Sequence, residues 1–234
     1  YTFALYMISF STTTDWLQSL GSLFYPHLCA GCGNNILSAD QSICHRCIAH
    51  FPATGFAQQS GNPVEKLFWG RIPVSAACSG FYFTRSSTMQ HVLHALKYKD
   101  HKDAGRVMGR LMGHLLQQSN RFSNIDVIVP LPLFPDKEIR RGYNQAAIIA
   151  EGIQEVLKIP MISDAICRNR YTESQTHKNR IERWENVGGV FSLKDPAKIR
   201  QKKILLVDDV VTTGASLEAC GSAILQGGIE SLYI

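Results

Sequence analysis

The amino-acid sequence predicts an α/β protein, with an open, mainly parallel sheet flanked by helices and a small N-terminal module built on four cysteines. Three observations carry this reading. From about residue 74 onward, short apolar runs alternate with segments of helical period. The clearest run, Ile204 to Val207, is continuously apolar rather than alternating, as befits a strand covered on both faces. Cys29, Cys32, Cys44 and Cys47 pair off as two C-x2-C steps separated by eleven residues.

Taken in order, Thr14 and Asp15 precede Trp16, Leu17, Leu20, Leu23 and Phe24, spaced for one face of a short helix that Pro26 ends. The cysteines follow. Pro52 to Pro63 is rich in Gly, Pro and small polar residues and reads as a linker, placing one unit at 1–62 and the α/β unit at 63–234. Residues 74–84 read as a strand. Met89, Val92, Leu93 and Leu96 recur at helical spacing, as do Val107, Leu111 and Leu115. Residues 125–130 form a buried-strand run, and Ala146, Ile149, Ala150, Ile153 and Leu157 mark a helix that Arg140 and Arg141 are expected to begin. A short strand at 165–168, the strand at 204–207, a helix over 215–226 and a last strand at 231–234 complete the pattern.

Composition bounds the function. With 45% hydrophobic and 18% charged residues among 234, the chain can bury a core, which excludes disorder and fibres. No run of about 18 uncharged apolar residues is present, so no membrane span is expected. The opening ten residues are apolar but lack Lys or Arg, unlike a secretory signal, and a first residue of Tyr suggests a trimmed or partial start. Seven cysteines cannot all pair, and four of them cluster, which suits a reducing, cytoplasmic setting with a metal site.

In a C-x2-C step a tight turn aims two thiolates at one ion, and two such steps complete a tetrahedral sulfur cage suited to structural zinc. Gly31 and Gly33 sit where such turns need unusual backbone angles. Packed unliganded thiols and a [2Fe–2S] cluster are the alternatives. Filling all four positions leaves no place for a reactive water. His27, His45 and His50 flank the cluster as surface residues, and Cys78, Cys167 and Cys220 sit in apolar patterns as buried, inert thiols.

The catalytic signal follows the 204–207 strand: Asp208, Asp209, Val210, Val211, Thr212, Thr213, Gly214, Ala215 and Ser216. Two carboxylates arrive at a strand's carboxyl end, where open α/β sheets bind ligands. A Thr-Thr-Gly-Ala-Ser turn then opens a helix, offering N–H groups and hydroxyls to a phosphate. Carboxylates beside a phosphate should repel it. A ribose 5-phosphate removes the conflict, with its phosphate in the turn and its hydroxyls on Asp208 and Asp209; a divalent cation between them does the same. The competing reading is an ordinary strand-to-helix turn with a Thr cap. No Gly-Lys pair exists, so there is no P-loop, and the Gly31–Gly33 pair lies among the cysteines, so no dinucleotide fingerprint is present.

These residues resemble a known family. The stretch 207–216 looks like the phosphoribosyl-pyrophosphate signature of type I phosphoribosyltransferases. Together with the segments at 23–33, Ala95–Tyr98, Arg141–Gln145 and Asn186–Phe191, it makes the chain similar, over about 15–234, to the ComF family; Gly189 stands where that family more often has Ala. The resemblance implies phosphoribosyl pyrophosphate bound with Mg²⁺ and an acceptor base. It assigns pyrophosphate contact to the loop after 125–130, at Leu131 and Pro132, for which a Pro-rich turn without a ligand is the alternative, and to Arg141, with Asn144 and Gln145 as neutral hydrogen-bonding groups. It also implies a part in DNA uptake, with single-stranded DNA and competence proteins as partners and the pocket then regulatory.

Residues 168–203 carry ten basic and four acidic side chains, a surplus of six against five for the whole chain. This reads as a basic lid over pyrophosphate, with Arg170, Gln175, Lys178 and Arg183 as contacts, or else as a solvated loop. Asp208, Asp209, Arg141 and Arg183 are the expected catalytic residues, in a reaction that needs no protein nucleophile. A second basic run, Lys97 to Lys102 with Tyr98 as a stacking surface, can track a phosphate backbone or simply end a solvated helix.

Overall fold

Side chains of a β-strand point alternately to opposite faces, so a strand sandwiched between helices must be apolar at every position. The computed structural model, which describes residues 27–35, 41–169 and 189–234, meets this condition at the centre of its sheet. In chain order the elements are helices α1 (His45–Ala49), α2 (Pro63–Lys66), α3 (Thr88–Tyr98) and α4 (Lys102–Gln117), strand β1 (Val127–Pro130), helices α5 (Pro135–Arg141) and α6 (Gln145–Leu157), strands β2 (Ile166–Arg168), β3 (Phe191–Leu193) and β4 (Lys203–Val207), helix α7 (Ala215–Leu225) and strand β5 (Ser231–Tyr233).

Strands β1, β4 and β5 form a parallel sheet in that order, with Ile128 opposite Leu205 and Ile204 opposite Leu232. Parallel bridges at Met161 beside Ile128, and at Ala76 beside Tyr233, extend the two edges. Ile128, Leu205 and Val207 face a core shared with Val92 and Leu96 of α3, Met108 of α4 and Ile149 and Ile153 of α6. Val127, Val129, Ile204 and Leu206 face the opposite core, with Leu217, Cys220 and Ile224 of α7.

Helices α4 and α6 touch backbone to backbone. A Cβ at Gly109 would fall 2.1 Å from the Ile149 carbonyl oxygen, and one at Gly152 would fall 2.2 Å from that of Arg106. Arg106 with Glu151 and Arg110 with Glu155, each pair at 2.9 Å, flank the crossing.

Several expectations are corrected. Residues 74–84 form no continuous strand, because the segment changes partners: Ser75 and Cys78 N–H donate to Leu232 and Ile234 on the sheet edge, whereas Tyr82 N–H donates to Pro52. Residues 166–168 do form a strand, but in a separate antiparallel ribbon with β3. Arg140 and Arg141 end α5 rather than begin α6; Gly142 breaks the helix with φ +80° and Asn144 caps α6. The stretch read as a linker is packed: Phe56, Ala57 and Asn62 are buried, and Asn62 caps α2 while its amide donates to Gln59 and Ala77. The helix read at 15–24 lies outside the described residues. Among the described residues no helix is long and apolar enough to cross a membrane.

Candidate functional site

Strand β4 ends at Val207 and delivers Asp208 and Asp209 to the carboxyl edge of the sheet. Asp208 accepts the Asp209 N–H at 2.8 Å, and Asp209 Oδ2 lies 2.5 Å from Lys97 Nζ, which reaches across from the last turn of α3. Burial and the neighbouring Asp209 charge push the Asp208 carboxyl up to about 7, against the opposing pull of the Asp209 N–H and Lys97.

Gly214 turns the chain into α7 with φ +75°, and a Cβ there would also meet Phe68 at 3.1 Å, so the turn admits glycine for two reasons. Thr212 and Thr213 are exposed beside it. The N-cap, Gly214, has no side chain to cap α7, and the Ala215 N–H donates to Thr213 Oγ1 at 3.4 Å. The dipole of an eleven-residue helix and its leading N–H groups therefore face the exposed threonines. Val210, Val211 and Thr212 line a cavity of about 460 Å³ that also holds the acid pair and runs beneath Tyr82 and Phe83.

Neighbouring strand β1 brings Leu131 and Pro132 to the same edge. Leu131 N–H donates to Val207 at 2.8 Å, and its carbonyl accepts from the Asn144 amide at 2.9 Å, pinning this loop between β4 and the start of α6. Arg141 stands at the end of α5, where it donates to Gln145 at 2.7 Å and lies 5.5 Å over the ring of Tyr98. Arg170, Gln175, Lys178 and Arg183 lie outside the described residues.

The four clustered cysteine sulfurs lie within 4.8 Å of one another, with Cys29–Cys47 at 3.7 Å and Cys32–Cys44 at 3.9 Å. A tetrahedron with metal–sulfur bonds of about 2.3 Å has edges of about 3.8 Å, so the group fits a single ion. Burial raises the Cys29 thiol, but N–H donors from Cys44, Cys32 and Gly31 outweigh it and bring it down to about 6. Gly33 does have positive φ, +73°, whereas Gly31 is needed for space: a Cβ there would fall 2.6 Å from Thr88. His45 and His50 are exposed, as expected, with the latter's ring bonded to the Arg46 carbonyl.

Sequence reasoning missed Lys97 as a partner of Asp209, since nothing in the spacing relates a helix end to a strand end 112 residues later. Cys220 is buried as expected, and burial raises its thiol; Cys78 is only half-buried, though burial of the thiol still pushes it up to about 12. Cys167 is only half-buried, 3.1 Å from Ser192 Oγ.

Residues 94–234 match the family described as phosphoribosyl transferase domain. Competence protein F of Haemophilus influenzae is 25% identical over 227 residues, covering 90% of this chain and 96% of that one. DNA utilization protein YhgH of Escherichia coli is 24% identical over 211 residues, 88% of each chain. Competence protein ComFC of Bacillus subtilis is 32% identical over 102 residues, 44% of this chain and 39% of that one. Among solved structures, glutamine phosphoribosylpyrophosphate amidotransferase from B. subtilis is similar at 20% identity and a TM-score of 0.43, over 60% of this chain and 29% of that chain, so the match spans under a third of its length.

Proposed function

The chain belongs to the phosphoribosyl transferase domain family, among its ComF-like members, and from that premise we propose that it binds phosphoribosyl pyrophosphate with Mg²⁺ and transfers phosphoribose to a nitrogen nucleophile, a nucleobase or similar acceptor, in the cytoplasm. One observation carries the reading: an acid pair at the end of a buried strand stands directly before a left-handed glycine turn, exposed at Thr212 and Thr213, that opens an eleven-residue helix. The 5-phosphate occupies the turn at Thr212–Ser216 and the ribose hydroxyls donate to Asp208 and Asp209. The pyrophosphate then lies toward Leu131, Pro132 and Arg141. Mg²⁺ bound with the ligand neutralises the pyrophosphate charge. In the reaction the bond from ribose C1 to the pyrophosphate oxygen breaks and pyrophosphate leaves with the electron pair; a C1–N bond forms and the nitrogen gives up a proton. The protein's part is orientation and charge stabilisation.

Isothermal titration with phosphoribosyl pyrophosphate and Mg²⁺ tests this. Wild type gives a saturable heat, and Asp209→Asn weakens binding by about tenfold or more through lost charge-assisted hydrogen bonds. A wild type that gives no heat overturns the reading. The four-cysteine group serves as a structural zinc site, because its geometry closes all four positions.

A second reading, a non-catalytic or regulatory role with single-stranded DNA, is favoured by one feature. Tyr98 is 64% exposed, 4.8 Å from the His94 ring and beneath Arg141, an aromatic platform edged by cations. The names of the competence and DNA utilization relatives point the same way.

A further inference from the structure

Helix α3 meets a different site at each end. Its first turns hold the cysteine module: the His91 ring donates from Nδ1 to the Gly31 carbonyl at 2.9 Å, and the Gly31 N–H in turn donates to Cys29 Sγ at 3.4 Å. Thr88 packs against Gly31, in space that a Cβ there would take, and Met89 shares a core with Cys29 and Cys47. Its last turn carries Lys97 to within 2.5 Å of Asp209; among the described residues Lys97 is the ion-pair partner of the acid pair. His91 and Lys97 are six residues apart, about 9 Å of helix rise.

Between those ends the helix is stiff. Val92, Leu93, Ala95 and Leu96 are buried, Ser87 caps the start by accepting the Gln90 N–H, and the Tyr143 hydroxyl donates to the Leu96 carbonyl. No Gly or Pro interrupts it, so a displacement at one end is carried to the other rather than absorbed in a kink. At the far end two adjacent carboxylates repel each other, and the Lys97 charge opposes the rise that Asp209 imposes on the Asp208 carboxyl. At the near end an ion fixes the Gly31 turn by holding four sulfurs that lie within 4.8 Å of one another. Without an ion those sulfurs keep only weak S–H contacts, the His91 and Thr88 contacts loosen with the turn, and Lys97 loses its place beside Asp209.

We propose that α3 is a strut between the two sites, with His91 and Lys97 as positioning residues, so that zinc in the cysteine module and the ligand at Asp208 and Asp209 raise each other's affinity. Two states define the linkage. In the seated state the module is closed and Lys97 stands on Asp209; in the loosened state neither holds. Zinc binds the seated state, and a ligand whose hydroxyls need both carboxylates in place binds that state better, so each biases the same equilibrium. The identity of that ligand rests on the phosphoribosyl reading above; the strut rests on the contacts of α3.

Equilibrium competition with a zinc-selective, colour-forming chelator reads zinc affinity in the full-length protein, with Mg²⁺ in excess and with or without saturating phosphoribosyl pyrophosphate. The ligand is expected to raise the zinc affinity of wild type by about five- to tenfold, and isothermal titration of zinc-loaded against stripped protein is expected to show the same factor for the ligand. His91→Ala, at an exposed ring, and Lys97→Met are each expected to cut that factor below about twofold. Lys97→Arg keeps the ion pair and is expected to restore most of it. Without ligand, Lys97→Met is expected to lower zinc affinity by about threefold, and Lys97→Arg to leave it unchanged. Phosphoribosyl pyrophosphate that binds wild type but leaves zinc affinity unchanged overturns the proposal. So does a linkage that survives undiminished in both variants, because unfolding of the whole chain on metal loss would link the sites without either residue. Wild type that binds no phosphoribosyl pyrophosphate overturns the phosphoribosyl reading, and the strut then stands or falls with the ligand-free loss in Lys97→Met.

Discussion

At the scale of single residues, Asp208 sets the most direct expectation, because its carboxyl is raised from 3.8 to about 7 by burial and by Asp209. A carboxyl raised by folding favours the protonated native state. Its contribution to stability is therefore fully present below pH of about 4 and is lost as pH rises through about 7, where the folded chain must hold a desolvated carboxylate. Asp208→Asn removes that burden. Thermal melts are expected to show no gain for the variant at pH 3.5 and a gain growing to about 3–4 kcal/mol above pH 7.5, with phosphoribosyl pyrophosphate binding lost. A stability difference independent of pH would contradict the assignment. Lys97 limits the burden without removing it, since its 2.5 Å contact is to Asp209. The pair thus trades stability for a site that a sugar diol or a cation completes, which is why the carboxylates were legible in the sequence and their counter-ion was not: adjacency in sequence reports the first, and only the packing of α3 against the sheet reports the second.

At the scale of elements, the strands and helices announced themselves wherever both faces of a strand or one stripe of a helix had to be apolar. Val127 to Val129 and Ile204 to Val207 meet that condition, as do the buried stripes of α3 and α6. Residues 74–84 failed as a strand because β-type composition fixes an extended chain but not one partner along its length. The end of α5 failed because the left-handed turn at Gly142 splits a basic, helix-compatible run into two helices. The cysteine turns form an element of a different kind, held to α3 by the His91 ring on the Gly31 carbonyl at 2.9 Å and by Thr88 against Gly31. Cys29 and Cys47 belong to the same buried core as Val92 and Leu96. Removing the metal should therefore loosen α3 as well as the turns. Metal analysis is expected to return about one zinc per chain. Chelation is expected to lower the melting midpoint by at least about 10 °C, equivalent to a few kcal/mol in a chain of this size. A metal-free protein melting at an unchanged temperature would refute the zinc site.

At the scale of the whole molecule, charge placement decides between ways of meeting nucleic acid. The chain carries a net +5, yet residues 168–203 alone hold a surplus of six, so the remainder is close to neutral, which favours a small cationic patch over a broad basic face for a duplex. What the rest does offer is small: Tyr98 with Arg141 over its ring, and Lys99 and Lys102 nearby, the latter 4.8 Å from the Tyr143 ring. About three phosphates can be met there, so single-stranded DNA binding should weaken with salt at a log–log slope of about −2. Tyr98→Ala should cost about 1–3 kcal/mol if a base stacks on that ring. Lys97, the residue before Tyr98 on α3, joins this platform's helix to the acid pair through its contact with Asp209. Fluorescence anisotropy with a labelled oligonucleotide across a salt series reads both effects. Absence of binding, or binding with a flat salt response, removes the nucleic-acid reading and leaves the pocket to small phosphoribosyl ligands alone. A slope much steeper than −2 would mean more phosphate contacts than the Tyr98 platform supplies and would point to the basic stretch at 168–203, which holds the largest local surplus of charge.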